Sequence, residues 1–412
     1  MSAGERWPGS RPDVPWPGSR PNVRWPGLRP AWAEVDLDAI AHNVRSLAEQ
    51  VAPARVMAVV KADGYGHGAV PVARAALGAG ASWLGVALVE EALELRAAGI
   101  AAPILVLAQP HPDAAGACAE HAVAVTITSL DGVAAFAAAG RRAGRPVAAH
   151  VKVDTGMHRQ GCLPAELPAV AKAAAEADGL DPEGLWTHFA VADDAAQAAT
   201  TDAQLTAFTE AIEVAKAAGL APRWRHAANS AGATLRDDAR FDLVRCGIEV
   251  YGLSPAPALN EAVRVVLRPA LALRALVGAV RVVEAGEKVS YGHIWSAPRR
   301  TRVATLPLGY ADGIRRALSG RMRVVIDGRA YAQVGRVTMD QVMVDLGDAG
   351  LPGGADRGPL VEVGAVATLL GDPGRGEPGV AEWAGLLGTI DYEITCGLSP
   401  RVPRVHLAAP AS

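Results

Sequence analysis

The sequence predicts an α/β fold, a (β/α)8 TIM-type barrel followed by a C-terminal, mainly antiparallel β domain, and three observations predict it. Eight short β-branched runs alternate with Ala-rich amphipathic stretches through the first two-thirds of the chain. Beyond about Leu267 the helical period disappears, and Val-rich segments are separated by Gly, Pro and Asp turns. Reactive side chains gather where the early runs end, which is the rim on which a parallel barrel carries its chemistry.

Residues 1–30 come first. Trp-Pro-Gly recurs at Trp7, Trp16 and Trp25, a period too short to bury anything, and so much Pro and Gly builds neither helix nor sheet; a disordered Pro/Gly/Trp-rich extension is expected. Residues 31–266 are expected to form the barrel. Its strands should be Val56 to Val60, Trp83 to Leu88, Ile104 to Leu107, Val123 to Ile127, Ala149 to Val153, Leu185 to Phe189, Arg225 to Ala228 and Leu243 to Arg245. Helical patterns such as Asp131 to Arg142 and Ala203 to Ala218 lie between them, several closed by Gly as a C-cap would be. Eight such alternations favour a closed barrel over an open doubly wound sheet. Residues 267–412 should form the β domain, with strands in Ala275 to Val283, Arg302 to Leu306, Arg321 to Ile326, Ala332 to Val337, Gln341 to Asp345 and Ala365 to Leu370. The Arg268-Pro269 step marks the boundary.

Composition excludes several classes. Forty Lys and Arg against 43 Asp and Glu leave a net charge of -3, so nothing points to nucleic acid. Cys118, Cys162, Cys246 and Cys396 form no C-x-x-C pair, which argues against a disulfide framework or a thiolate zinc cage and fits a reducing cytoplasm. No apolar run approaches the ~20 residues that span a bilayer, and no signal-peptide core is visible.

Only five of the forty cationic residues are Lys: Lys61, Lys152, Lys172, Lys216 and Lys288. Where Arg is the default cation, a Lys marks positions where an amine is wanted, since guanidinium is neither a nucleophile nor an imine former at neutral pH. Two of the five fall at strand ends. Lys61 closes the first strand and opens Ala-Asp-Gly-Tyr-Gly-His-Gly; Lys152 lies on the fifth, ahead of Asp-Thr-Gly-Met-His-Arg. The later ends carry Thr187-His188-Phe189, His226 with Asn229-Ser230, and Arg245-Cys246-Gly247-Ile248. Ser230 and the backbone of Gly247 and Ile248 stand where barrels build phosphate sites, after strands seven and eight. An imine-forming lysine and a phosphate cradle on one rim suggest pyridoxal 5'-phosphate. An ordinary helix cap explains Asn229-Ser230 equally well, but not its coincidence with Lys61.

At these residues the chain resembles the alanine racemases, pyridoxal-phosphate enzymes of fold type III. The matching stretches include A-W-A-E-V-D-L-D-A-I-A-H-N from Ala31, A-V-V-K-A-D-G-Y-G-H-G from Ala58, K-V-D-T-G-M-H-R-Q-G from Lys152, T-H-F-A from Thr187, H-A-A-N-S-A from His226 and V-R-C-G-I-E-V-Y-G from Val244. V-S-Y-G from Val289, L-G-Y-A-D-G from Leu308, V-G-R-V-T-M-D-Q from Val334 and the closing R-V-P-R to Arg404 continue in order.

The resemblance implies a two-base racemase of L- and D-alanine that supplies D-alanine for cell-wall peptidoglycan. Lys61 would hold the cofactor and serve as base on one face, and Tyr291, supplied by the partner in a homodimer with shared active sites, would serve on the other. Tyr65, His188, Asn229, Ser230, Gly247, Ile248 and Tyr392 would bind the cofactor, with Arg245 at its pyridine nitrogen. Arg159, Tyr310 and Met339 would contact substrate, and Lys152 matches a lysine often carbamylated in the family. Cys246 replaces the usual Pro and Thr338 a frequent Cys, departures that touch selectivity and no named catalytic role.

Three competing readings remain. A broader-specificity or serine racemase would share this fold. A metal-assisted lyase would add a His/Cys pair near the C-terminus, for which Cys396 and His406 are the only candidates. A non-catalytic pyridoxal-phosphate carrier would lack the β domain.

Overall fold

The computed structural model describes residues 29–255, 265–348 and 360–408. It divides into two compact units, Leu37–Arg268 and a second that joins the chain up to Asp36 with everything from Pro269. Most of the expected extension, residues 1–28, lies outside the described residues.

The first strand corrects the expected layout. β1 (Ala31–Asp36), assigned from sequence to the barrel, pairs with the later strands Leu271–Leu276 and Arg404–Leu407 instead, and its almost wholly buried pattern is that of a central strand. The barrel unit begins one residue later, at the helix Leu37–Val51. Its eight strands are β2 (Arg55–Val59), β3 (Trp83–Val86), β4 (Ile104–Val106), β5 (Ala124–Ile127), β6 (Val147–Lys152), β7 (Leu180–Trp186), β8 (Trp224–His226) and β9 (Leu243–Cys246). Each pairs in parallel with the next from β2 to β8, and β9 pairs in parallel with β2. Backbone bonds from Asp242 N to Arg225 O (3.1 Å) and from Arg245 N to Ala228 O (3.0 Å) join β9 to the β8 side of the ring.

Helices between the strands start and stop by ordinary local chemistry. Ser129 Oγ accepts from Gly132 N at 3.1 Å to open the helix Leu130–Ala143, and Gly144 at φ +68° ends it. Met57, Trp83, Leu105, Ala124 and Leu243 form one buried cluster although they come from five different strands, which only the interior of a closed barrel permits.

The second unit is a nine-stranded sheet with β1 inside it. β10 (Leu271–Leu276), β11 (Ala279–Val283), the ribbon β12 (Lys288–Val289) and β13 (Trp295–Ser296), β14 (Thr301–Leu306), β15 (Arg323–Ile326), β16 (Arg329–Val334), β17 (Val342–Asp348), β18 (Val366–Leu370) and β19 (Arg404–Leu407) follow in sequence. The sheet order is β11-β14-β17-β16-β15-β18-β10-β1-β19, antiparallel except where β1 meets β19. Ala275 to Val283, expected as one strand, is broken at Val277-Gly278 into β10 and β11. Two short helices, Val380–Leu387 and Asp391–Cys396, were not expected.

Arg29, at the end of the expected extension, is part of this unit. Its guanidinium grips the fully buried Asp312 carboxylate with two bonds of 2.7 and 2.6 Å, and also donates to Pro307 O at 3.0 Å. Asp312 Oδ2 accepts from Gly309 N as well, so the pair shapes the loop that carries Tyr310. Arg29→Ala should cost about 2–3 kcal/mol, less than a wholly isolated buried charge because Arg401 Nε remains 3.6 Å away. Denaturant unfolding checks this; an unchanged midpoint would show that Arg401 alone neutralises Asp312.

Candidate active site

Lys61 follows β2 and opens a segment with unusual backbone. Ala62, Asp63, Gly64 and Tyr65 all lie in the left-handed region, with φ of 53°, 52°, 59° and 52°. Three of them are not glycine, and each pays about 1–2 kcal/mol for that conformation. The turn is held by Gly64 N to Val60 O (2.9 Å), Gly68 N to Asp63 O (2.8 Å) and Ala69 N to Asp63 Oδ1 (2.8 Å). At its entry Ala62 N donates to Glu91 Oε1 at 2.6 Å. Tyr65 is thereby turned inward, its ring 4.9 Å from that of Tyr251, whose hydroxyl donates to Val59 O.

The last two strands meet Tyr65. A Cβ on Gly247 would sit 2.5 Å from Tyr65 Oη, so only glycine admits that hydroxyl. Gly247 N donates to Ser230 Oγ at 2.9 Å. Asn229 Oδ1 caps Gly232 N at 3.0 Å and fixes Ser230. Ile248 begins the buried turn that carries Tyr251. The Tyr65 and Ser230 hydroxyls, converging beside a glycine that leaves them room, fit a phosphate group. Glu249 fits it too: burial pushes this carboxyl up to about 8, so at neutral pH an acid stands near Ser230 and Thr234 without repelling an anion.

Arg245 on β9 is buried and donates to neutral acceptors, namely Thr187 O (2.8 Å), Ala227 O (2.8 Å), His226 O (3.1 Å), His226 Nδ1 (3.0 Å) and His188 Nδ1 (3.1 Å). Burial pushes it down to about 9, which still leaves a cation at neutral pH. His188 and His226 are held well below the ordinary imidazole value by burial and then by Arg245. Since guanidinium only donates, His226 accepts at Nδ1 and carries its proton on Nε2, which faces His150 Nδ1 at 2.8 Å. His150 Nε2 lies 3.8 Å from Glu183, itself bonded to Arg223. Gly184 makes room for the imidazole, because any Cβ there would overlap the His150 ring.

Lys152 is buried beside Trp186, its amine 4.3 Å from the ring centre and the Arg245 guanidinium 4.6 Å from it. Burial, then Arg245 and Arg159, push the amine down to about 8 against the pull of Asp154. Arg159 is exposed at the end of the loop that Asp154 shapes by accepting from Gly156 N and His158 N.

The remaining expected residues belong to the β unit. Tyr310 N donates to Thr338 O (2.9 Å) and Ala311 N to Met339 O (3.0 Å), so two loops are zipped together and Tyr310 and Met339 become neighbours. Gly309 is required there, since a Cβ would strike the Met339 backbone. Tyr291 and Thr338 line one open concavity of about 580 Å³ with Ser290, His293, Gln341 and Met343. Ser290 at φ +68° turns the chain there, its hydroxyl donating to Arg336 O at 2.8 Å. Tyr392 is half-buried in the helix Asp391–Cys396. Sequence reasoning missed Glu91, His150, Trp186 and Glu249. Only His150 left a signal, alternating with Lys152 on β6.

A parallel barrel with a lysine at a strand end and a hydroxyl cradle at its last strands, continued by an antiparallel β unit, defines a pyridoxal-phosphate enzyme of fold type III. The family model for the N-terminal domain of alanine racemases matches residues 35–255, and that for the C-terminal domain matches residues 270–406. An alanine racemase of Symbiobacterium thermophilum is 48% identical over 375 residues, which span 91% of this chain and 96% of its own. The solved alanine racemase of the D-cycloserine producer Streptomyces lavendulae superposes with a TM-score of 0.86 at 41% identity, covering 93% of this chain and 98% of its own. That of Bacillus anthracis, with bound L-Ala-P, gives 0.85 at 38%, covering 93% and 97%. The chain belongs to the alanine racemase family, whose members are pyridoxal-phosphate enzymes.

Gly247→Ala should weaken cofactor binding about tenfold, because overpacking the cradle costs on the order of 1–3 kcal/mol. Spectral titration with pyridoxal phosphate measures it. Binding at wild-type strength would mean that the phosphate is held elsewhere.

Proposed function

We propose that this protein interconverts L-alanine and D-alanine with pyridoxal phosphate linked to Lys61, and that a homodimer with shared sites carries the reaction. The observation that carries the reading is the turn joining Lys61 to Tyr65, whose hydroxyl reaches the Ser230–Gly247 cradle. Lys61, Tyr65, His188, Asn229, Ser230, Arg245, Gly247, Ile248 and Tyr392 would hold the cofactor. When bound, it supplies the electron sink that makes the substrate α-proton removable.

This chain's own groups do the rest. Lys61 takes the α-proton of D-alanine while Tyr291 of a second copy delivers a proton to the opposite face; from L-alanine, Tyr291 takes the α-proton and Lys61 delivers one. Arg245, a donor without an acidic partner among the described residues, keeps a pyridine nitrogen unprotonated, which favours returning the proton over side reactions. Neutral His188 takes an Arg245 N–H at Nδ1 and so keeps its own proton on Nε2. Arg159 and Tyr310 contact the substrate, and the Met339 backbone reaches its carboxylate. The exposure of Tyr291, Tyr310, Met339 and Ile294 supports an interface with a second copy.

The product suits peptidoglycan synthesis. Among the described residues no helix is long and apolar enough to cross a membrane, and we place the reaction in the cytoplasm, where an exposed thiol such as Cys396 stays reduced.

Chiral chromatography of alanine tests both halves of the proposal. Wild-type protein given L-alanine should reach equal amounts of both antipodes, with L-serine as the comparison substrate; ammonia, an aldehyde or no change overturns the reading. Lys61→Ala and Tyr291→Phe should each be inactive. Mixing them should restore about a quarter of the wild-type rate, since half of randomly paired dimers are mixed and each has one intact site. No recovery despite proven subunit exchange places each site within one chain.

Lys152 is proposed to carry a carbamate, an anion between the cations Arg159 and Arg245. Only the neutral amine reacts with carbon dioxide, and an amine near 8 becomes neutral as pH rises through that value. With 13C-labelled bicarbonate, the carbamate resonance should be strong at about pH 8.5, weak near pH 6 and absent from Lys152→Arg. A wild-type spectrum without it at the higher pH leaves Lys152 a plain cation.

A further inference from the structure

The turn at Lys61 is strained, and beside the bonds of its own segment one bond reaches it from outside. Its entry is tied to a side chain of the next strand-helix unit. Glu91, in the first turn of the helix Val89–Ala97, places Oε1 2.6 Å from Ala62 N. Its other oxygen accepts from Ala87 N at 2.8 Å and Leu88 N at 3.1 Å. The carboxylate is thus anchored to its own strand end and reaches across to the first residue after Lys61. Ala62 is exposed, so no packing of its methyl group holds its φ of +53°.

From this geometry we propose that Glu91 is a positioning residue for the cofactor lysine. Glu91 selects the left-handed form of residues 62–65 and thereby fixes the spacing between the Lys61 amine and the Tyr65 hydroxyl. The inference rests on the reading that Lys61 and Tyr65 bind the two ends of the cofactor. Without the strap, Ala62 N loses its acceptor and three non-glycine residues relax from a conformation that disfavours them. The lysine and the phosphate hydroxyl, which share that turn, then no longer match one rigid ligand.

Loss of the Ala87 and Leu88 bonds would loosen the helix start in any Glu91 variant, so the test needs a readout that this cannot move. Glycine at 62 adopts positive φ without steric cost and restores nothing at Ala87 or Leu88. Equilibrium dialysis of the holoenzyme against pyridoxal phosphate is run for wild type, Glu91→Ala, Ala62→Gly and the double variant. Glu91→Ala should weaken retention about tenfold, the size expected for one charge-assisted bond, and Ala62→Gly should recover most of that loss in the double variant. Should Glu91→Ala not fold, Glu91→Gln serves in its place: its amide can satisfy only one of the two sides, and the same glycine should recover the smaller loss.

Retention equal to wild type in a folded Glu91 variant, or a loss that glycine at 62 leaves untouched, overturns the inference. Borohydride trapping and peptide mapping of the wild-type protein separate it from the reading beneath. Label on Lys61 with either of those results sinks the role of Glu91 alone, whereas label on another lysine sinks both.

Discussion

The site is organised around a guanidinium that is buried with no carboxylate partner among the described residues. Arg245 would ordinarily demand a counter-ion; here it is satisfied by three backbone carbonyls and two imidazole nitrogens. That choice propagates. An imidazole accepting from guanidinium cannot also be protonated, so His188 and His226 are held neutral and the proton of His226 is assigned to Nε2. His226 then hands the bond to His150, and His150 fits only because β7 carries Gly184 beside it. Trp186 accepts the cationic field on its π-face and stacks on His226 with rings 5.4 Å apart. One unpaired cation thus dictates residue types on β6, β7, β8 and β9.

Much of this was legible in the sequence because barrel chemistry lives at strand ends, and the ends announce themselves. Lys61 stands out in a chain that otherwise prefers Arg, and the glycines after it signal a backbone that L-residues avoid. The eight barrel strands sit within a few residues of their expected places, the largest discrepancy being β7, which starts five residues early at Leu180. Its first half, Leu-Asp-Pro-Glu, carries no apolar run, and it is strand through pairing with β6 alone.

What failed was anything decided by distant pairing. β1 reads locally as the start of a βα repeat, since a helix follows it at once, yet its hydrogen bonds go to β10 and β19 more than two hundred residues away. Glu91 was invisible for the same reason: a Glu in a first helical turn is ordinary chemistry, and nothing local tells that its second oxygen leaves the helix for Ala62. The helices Val380–Leu387 and Asp391–Cys396 were hidden by the Gly- and Pro-rich stretch before them, although Gly388 at φ +68° closes the first in the usual way.

The run from Arg245 to Glu249 shows how one short segment can meet a ligand with different charge at its two ends. In the proposed function Arg245 offers a cation where a ring nitrogen would stay unprotonated. Two residues on, Gly247 offers the room for Tyr65 Oη at the proposed phosphate cradle. Two further on, an ionised Glu249 would conflict with the proposed cradle, since a carboxylate beside it repels an anion. Burial resolves the conflict, because it moves the cost of ionisation to about 8 and leaves a neutral acid under the Ser230 hydroxyl through the neutral range. The same burial lowers Arg245 and raises Glu249, and each shift reduces the charge the barrel must hold. Arg245 remains a cation because its ordinary value starts high enough to survive the loss, while a carboxyl starting near 4.5 does not survive as an anion. The segment therefore presents positive charge at Arg245 and none at Glu249, an asymmetry set by the intrinsic acidities of two side chains in one dry environment.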